Sequence, residues 1–277
     1  MDLYDKTCLG SSKLFTKEYS TSFSKAVGML DVSLRDSIYA IYGFVRIADE
    51  IVDTFHEHPK REMLSEFRQQ SFSAIEKKIS SNPILHSFQL VVNQYNIPQD
   101  LITSFLDSME MDLDKQDYSH EEYQKYIYGS AEVVGLMCLK VFCNGNETLY
   151  NDLRKPAQSL GEAFQKVNFL RDIKDDFHDK GRVYFPNVDF EHFSEKEKHE
   201  IEKDIARDLR NAINGIRKLP KGSKLGVYVA YLYFKALLVR IKLVRAKNIM
   251  HKRIRVPDYV KFFIMLRARI SVALGIV

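Results

Sequence analysis

The stretch Gly161-Glu-Ala-Phe-Gln165-Lys-Val-Asn168-Phe-Leu-Arg171-Asp172-Ile-Lys-Asp175-Asp176-Phe-His178 decides how the chain is read. Its apolar residues recur at three and four, the period of an α-helix. On that helix Asn168, Asp172 and Asp176 fall at i, i+4 and i+8, on one face, and all three are oxygen donors. A second constellation lies upstream in Arg46-Ile-Ala-Asp49-Glu50-Ile-Val-Asp53, where Asp49 and Asp53 share a face in the same way. Like charges at that spacing oppose helix formation. Ile47, Ala48, Ile51 and Val52 surround them, so this is no simple solvated face, and a hard divalent cation is the natural offset. One such cluster alone would read as an acidic face with ion pairs. Two clusters, each beside an arginine and embedded in apolar helix, favour a metal site.

The same periodicity extends outward. It predicts helices over Ser33–Asp53, Glu62–Ser80, Asp100–Asp112, His120–Phe142, Asn151–His178, Glu195–Lys218, Leu225–His251 and Asp258–Leu274. The seven prolines read as helix boundaries, and Arg182–Pro186 is the one extended-looking segment. No internal repeat or low-complexity linker interrupts the pattern. The expectation is a single all-α domain over 1–277 with eight or more helices.

Composition narrows the class. The 277 residues are 45% hydrophobic and 28% charged, with 12 Gly and 7 Pro, which excludes collagen-like and disordered chains. The net charge of +4 conceals a split. Residues 217–277 carry 15 Lys and Arg against one acid, Asp258, while the preceding 216 carry 26 basic and 36 acidic side chains. Such a split fits a solvated face, or contact with an anionic surface or ligand. Cys8, Cys138 and Cys143 are odd in number and lack metal-ligand spacing, which fits ordinary thiols in a reducing cytoplasm. No targeting segment is visible at the start, and the longest apolar run, Leu225–Phe234, is half what a spanning helix needs. The expectation is a cytoplasmic protein, with peripheral membrane contact through the basic, apolar C-terminal region as a separate expectation. No nucleic-acid module is present, and none is expected as a partner.

The carboxylate faces suggest a chemistry. Mg²⁺ binds through one or two carboxylates and completes its octahedron with water and phosphate oxygens. Two acidic faces opposed across a bundle would hold two or three Mg²⁺ ions (or Mn²⁺ in their place) and, with Arg46 and Arg171, neutralise a diphosphate. If the diphosphate is a leaving group, its departure creates a carbocation that must be kept from water. The 18 Phe and 15 Tyr provide aromatic walls for that purpose, although most of them belong to plain core.

At these residues the chain resembles the squalene/phytoene synthases, the head-to-head prenyl diphosphate synthases. Tyr19-Ser20-Thr-Ser22-Phe23 is similar to the family's N-terminal Ser-x-Ser-Phe, and Tyr39–Asp53 to its first aspartate-rich helix. Met109–Leu113 and Tyr126–Gly135 resemble its central segment, and Gly161–Asp176 with Gly181–Pro186 its second signature. The resemblance implies an isoprenoid-synthase helical bundle with a central cavity. It implies Mg²⁺ binding by Asp49, Asp53, Asn168, Asp172 and Asp176, and catalysis with Arg46 and Tyr42. Ser20, Ser22, Phe23, Arg46, Gln165, Arg171 and, less closely matched, Tyr233 would bind substrate. Ala131, Val134, Gly135 and Cys138 would line a prenyl tunnel or simply pack, and Glu132 stands where many relatives carry a small residue.

The activity implied is Mg²⁺-dependent condensation of two geranylgeranyl diphosphates to phytoene through a cyclopropylcarbinyl diphosphate, in carotenoid biosynthesis. Bacterial phytoene synthase is the nearest type, and no NADPH is expected. The near alternative is a C15 donor giving dehydrosqualene, squalene or hydroxysqualene. The alternative of another class is a non-catalytic interaction protein of the same fold. The sequence does not give the oligomeric state.

Overall fold

Seven of the helices begin where a side chain takes up free amide groups of the first turn. Asp2 caps α1 (Leu3–Tyr19) in a reciprocal box with Asp5, and Ser20 caps α2 (Thr21–Val27). Asp31 caps α3 (Val32–Asp53). α4 (Lys60–Lys77) follows, and Asn82 with Pro83 in the first turn starts α5 (Pro83–Tyr95). After α6 (Gln99–Asp114), a Ser119–Glu122 box opens α7 (His120–Ile127). A five-residue π turn (Tyr128–Glu132) joins α7 to α8 (Val133–Cys143), and Asn146 caps α9 (Glu147–Ile173). A Ser194–Glu197 box opens α10 (Glu195–Ile216), and α11 (Lys221–Lys242), α12 (Ala246–Ile249) and α13 (Asp258–Ala273) complete the chain. This computed structural model describes residues 2–114, 118–174, 184–186, 188, 192–249, 251 and 253–277. Among them there is no strand, so the all-α expectation holds. Of the extended-looking 182–186, only Tyr184–Pro186 are described, and they form a bend and a turn.

The core is built on α3 and α9. α3 packs against α1, α4, α5, α6 and α8, and Phe44 from its middle stacks on Phe88 of α5 with ring centroids 3.9 Å apart. α9 packs against α8, α10, α11 and the π turn. α8 touches both carboxylate-bearing helices, which make no extended contact with each other. Burial of Leu136, Met137 and Val141 on α8 explains why 120–143 is long and apolar enough to cross a membrane by composition alone; most of that run is packed inside the protein.

Three expectations need correction. The expected helices lack α1, α2 and α5. Pro156, a boundary on the sequence pattern, lies within α9, which starts at Glu147. The ring sits where α10 comes closest: a Cβ added to Gly215 would fall 2.3 Å from Pro156 Cβ, so the glycine makes room for the proline. The continuous helix expected over Leu225–His251 ends at Lys242, and α12 follows as a single turn.

Candidate active site

The first carboxylate cluster closes the C-terminal half of α3. Arg46 pairs with Asp49, three residues on, and with Glu50, four on. Its guanidinium also lies over the Tyr19 ring, 4.4 Å from the centroid. Glu50, which the sequence reading passed over, is only 7% exposed, while Asp49 and Asp53 are half-buried. One turn earlier, Tyr42 stacks on Phe23 of α2 with centroids 4.9 Å apart. Ser20 holds that helix in place by accepting the Phe23 amide at 3.3 Å. Burial pushes the Tyr42 phenol up, against the pull of Arg46 and Ser20, so it stays protonated. Ser22 is half-buried on α2. The structure therefore gathers Ser20, Phe23, Tyr42, Arg46 and Asp49 around the α1–α2–α3 junction.

The second cluster is on α9. Gln165, Asn168, Arg171 and Asp172 are all half-buried. The Oδ1 atom of Asn168 is buried and has no hydrogen-bond partner among the described residues. Arg171 Nε donates to both oxygens of Asp172, at 2.9 and 3.1 Å. Arg253, which follows α12, reaches the same carboxylate, with Nε 2.9 Å from Oδ1. The sequence placed basic charge in that region but could not say which residue arrives at the site. Asp176 lies outside the described residues. Tyr233 is buried on α11; its phenol is pushed up to about 12 by burial and by Asp258, and it donates to the Lys261 carbonyl at 3.4 Å. Phe234 beside it stacks on Phe164 of α9 at 3.8 Å, tying α11 to the carboxylate helix.

The residues considered for a prenyl tunnel lie along the α8–α9 contact. A Cβ on Gly161 would come within 2.6 Å of the Ala131 carbonyl, and one on Gly135 within 3.2 Å of the Ala157 carbonyl. Ala131 is buried, Val134 and Cys138 are half-buried, and burial lifts the Cys138 thiol to about 12. Glu132 is half-buried. Its Oε2 accepts from Gln158 Nε2 of α9 at 2.7 Å, and burial raises its carboxyl.

A further acidic cluster went unread. Glu162, Asp204 and Asp208 bring carboxylate oxygens within 4.8 Å of one another, a spacing suited to a metal. Lys166, 2% exposed, already fills that centre, with Nζ 2.6 Å from Glu162, 2.8 Å from Asp208, and bonded to Asp204. Burial opposes its charge, but the three carboxylates outweigh it and raise its pKa. Glu162-x3-Lys166 and Asp204-x3-Asp208 were the available signals, each an i, i+4 pair.

The family model described as "Squalene/phytoene synthase" matches residues 16–259. The chain belongs to the squalene/phytoene synthase family. Membership makes it an enzyme of the prenyltransferase type. It is 27% identical over 197 residues to a 4,4'-diapophytoene synthase of Staphylococcus haemolyticus (strain JCSC1435), covering 69% of this chain and 67% of that one. It is 27% identical over 250 residues to a 15-cis-phytoene synthase of Pantoea ananas, covering 80% of this chain and 79% of that one. Among solved structures it superposes on a dehydrosqualene synthase in complex with a ligand, with a TM-score of 0.82, 21% identity and coverage of 97% and 98%. That likeness shows the shared helical fold.

The squalene/phytoene synthase residues on α3 and α9 fit a divalent metal. The donor set is entirely oxygen, as Mg²⁺ requires. The orphaned Asn168 Oδ1 is a buried acceptor that a cation would satisfy, and such atoms are rare without a reason. The Lys166 cluster does not fit, because the Lys166 ammonium occupies the place a cation would take.

Proposed function

We propose that this chain condenses two geranylgeranyl diphosphates head to head into phytoene, with Mg²⁺ held by Asp49, Asp53, Asn168, Asp172 and Asp176. The observation that carries the site assignment is the buried, unpartnered Asn168 Oδ1 one helical turn before Asp172, on the face the family's second signature occupies. Bound Mg²⁺ supplies Lewis-acid pull on the leaving diphosphate oxygens. Arg46, Arg171 and Arg253 add charge-assisted hydrogen bonds to the same anion, and each is already held beside the carboxylate helices. Phe23 and Tyr42 present a stacked aromatic pair where positive charge develops. The raised phenol keeps Tyr42 neutral, so it adds no charge that would draw in water. Ser20 and Ser22 position this aromatic pair through α2, Gln165 lies on the α9 substrate side, and Tyr233 anchors α11 against α13.

A C15 donor is the second reading, favoured by the 4,4'-diapophytoene synthase relative and the dehydrosqualene synthase superposition. The deciding experiment incubates purified protein and Mg²⁺ with each prenyl diphosphate, with and without NADPH, and identifies products by mass. Phytoene from the C20 donor without NADPH is the expected result. Product from the C15 donor alone would replace the phytoene assignment by a dehydrosqualene or squalene one. No product from either donor would favour a non-catalytic role.

A further inference from the structure

The most unusual surface of the molecule is α13. One side of this helix is packed: Ala268 and Ser271 are buried, and Ile264, Met265 and Val272 lie against the core beside α11. The other side is also apolar, and it is open. Tyr259, Phe262, Phe263, Leu266, Ile270 and Leu274 are all exposed, the two phenylalanines by 60% and 62%. They recur at i, i+3, i+4, i+7, i+11 and i+15, which makes them one continuous stripe covering roughly a third of the helix circumference. A globular protein ordinarily turns charge toward water on such a face, and a contiguous apolar face marks a docking surface.

We infer that the exposed stripe of α13 lies in the interfacial layer of an anionic lipid bilayer, with Arg267 and Arg269 at its two edges engaging headgroup phosphates. Helical geometry places these arginines on opposite sides of the stripe, and both are exposed. Long cationic side chains bordering an aromatic and aliphatic face suit the boundary between acyl chains and headgroups. The wider surface has the same sign. Residues 217–277 hold 15 basic side chains and one acid. Arg269 reaches Met29 just after α2, at 3.6 Å from its sulfur. Next to that point Lys13, Lys17, Lys25 and Arg35 line a groove of about 440 Å³, with Asp36 as its acid. Polybasic surface beside an apolar element is drawn to an anionic leaflet.

A second copy of the chain suits this face poorly. An isologous contact through α13 would set Arg267 and Arg269 of two copies against one another within a strongly basic surface. A bilayer carrying negative charge complements both the stripe and its rim.

The chain has no tryptophan, so a single reporter can be placed cleanly. Phe262→Trp should show a blue-shifted emission and quenching by brominated acyl chains when mixed with phosphatidylcholine–phosphatidylglycerol vesicles, and neither with pure phosphatidylcholine. In flotation, wild type should rise with the anionic vesicles and lose that binding in high salt. Phe262→Ser/Phe263→Ser and Arg267→Gln/Arg269→Gln should each lower the partition coefficient about tenfold or more while the melting curve stays in place. Flotation unchanged in the Phe262→Ser/Phe263→Ser protein, or no flotation of wild type with anionic vesicles, would overturn the inference. So would a concentration-dependent dimer by light scattering that the serine variant abolishes, which would assign the stripe to a second copy. These readouts do not involve turnover, so they stand or fall apart from the proposed reaction.

Discussion

Arg253 Nε lies 2.9 Å from Asp172 Oδ1, joining the basic C-terminal region to the second carboxylate helix. Arg171 holds the same carboxylate from the neighbouring position on α9. One carboxylate is thus shared by two arginines, whose planar guanidinium groups suit charge-assisted bonds to an anion. Arg253 is 44% exposed on its side chain, so its hydrogen bonds act in partly hydrated surroundings. Arg253→Gln is expected to raise KM for the prenyl diphosphate roughly fivefold with little change in melting temperature. Arg253→Lys should recover part of that loss, because it restores charge without the planar fork. Steady-state kinetics on the two variants check this.

Asp49 and Asp172 stand on separate helices that meet through α8, so each tests its own half of the proposed metal site. Asp49→Asn and Asp172→Asn keep size and hydrogen-bonding atoms but remove the charge. Each is expected to lower kcat/KM by about a hundredfold or more and to shift the Mg²⁺ requirement to higher concentration. Chelation with EDTA should abolish turnover and added Mg²⁺ should restore it. If both variants kept Mg²⁺-dependent turnover, the ligand assignment would be wrong.

The carboxylate helices were legible because their signal is local. Asp49 with Asp53, and Asn168 with Asp172, are i, i+4 pairs, and α-helical geometry alone puts each pair on one face. α1 was not legible, because its core side is made of Cys8, Leu9, Ser12 and Thr16 and gives almost no apolar stripe. Those hydroxyls are satisfied internally instead: Ser12 bonds to Ser87 at 2.6 Å, and Thr16 donates to the Ser12 carbonyl at 2.9 Å. α5 was legible: Ile84, Leu85, Phe88, Val91, Val92 and Tyr95 recur at helical spacing between polar residues, so its absence from the expected helices has no physical cause. Arg253 could not be placed, since only tertiary packing brings it to a residue 81 positions earlier. Lys166 lies within the second signature, yet its role depends on Asp204 and Asp208 of α10.

That lysine is where removal of one charge should be most costly. Among the described residues Lys166 is the one ammonium bonded to Glu162, Asp204 and Asp208 at the α9–α10 contact, and it is 2% exposed. Lys166→Met leaves three partly buried carboxylates facing one another, with the more exposed Arg207 as the cation still beside Asp204 and Asp208. The expected loss is about 3–5 kcal/mol, or a fall of roughly 10 °C in Tm. Adding Asp208→Asn should recover part of it by removing one of the repelling charges. Urea denaturation of the single and double variants measures both effects.

Asp208 also sets a pH dependence whose sign can be stated. Burial raises its carboxyl from the ordinary 3.8 to about 6, and the bond to Lys166 limits the rise. Between those two values the folded chain holds this proton and the unfolded chain has released it. The bound-proton difference, unfolded minus folded, is negative there, so stability falls as pH rises through the window. The contribution is complete below about pH 4 and is lost once the pH passes about 6. Asp208→Asn cannot titrate and lacks this slope. The Tm of wild type minus that of the variant is therefore expected to decline steadily from pH 4 to pH 7. A difference that stayed flat would place the Asp208 proton outside the window, and a difference that rose would mean that the ion pair with Lys166 outweighs burial at this site.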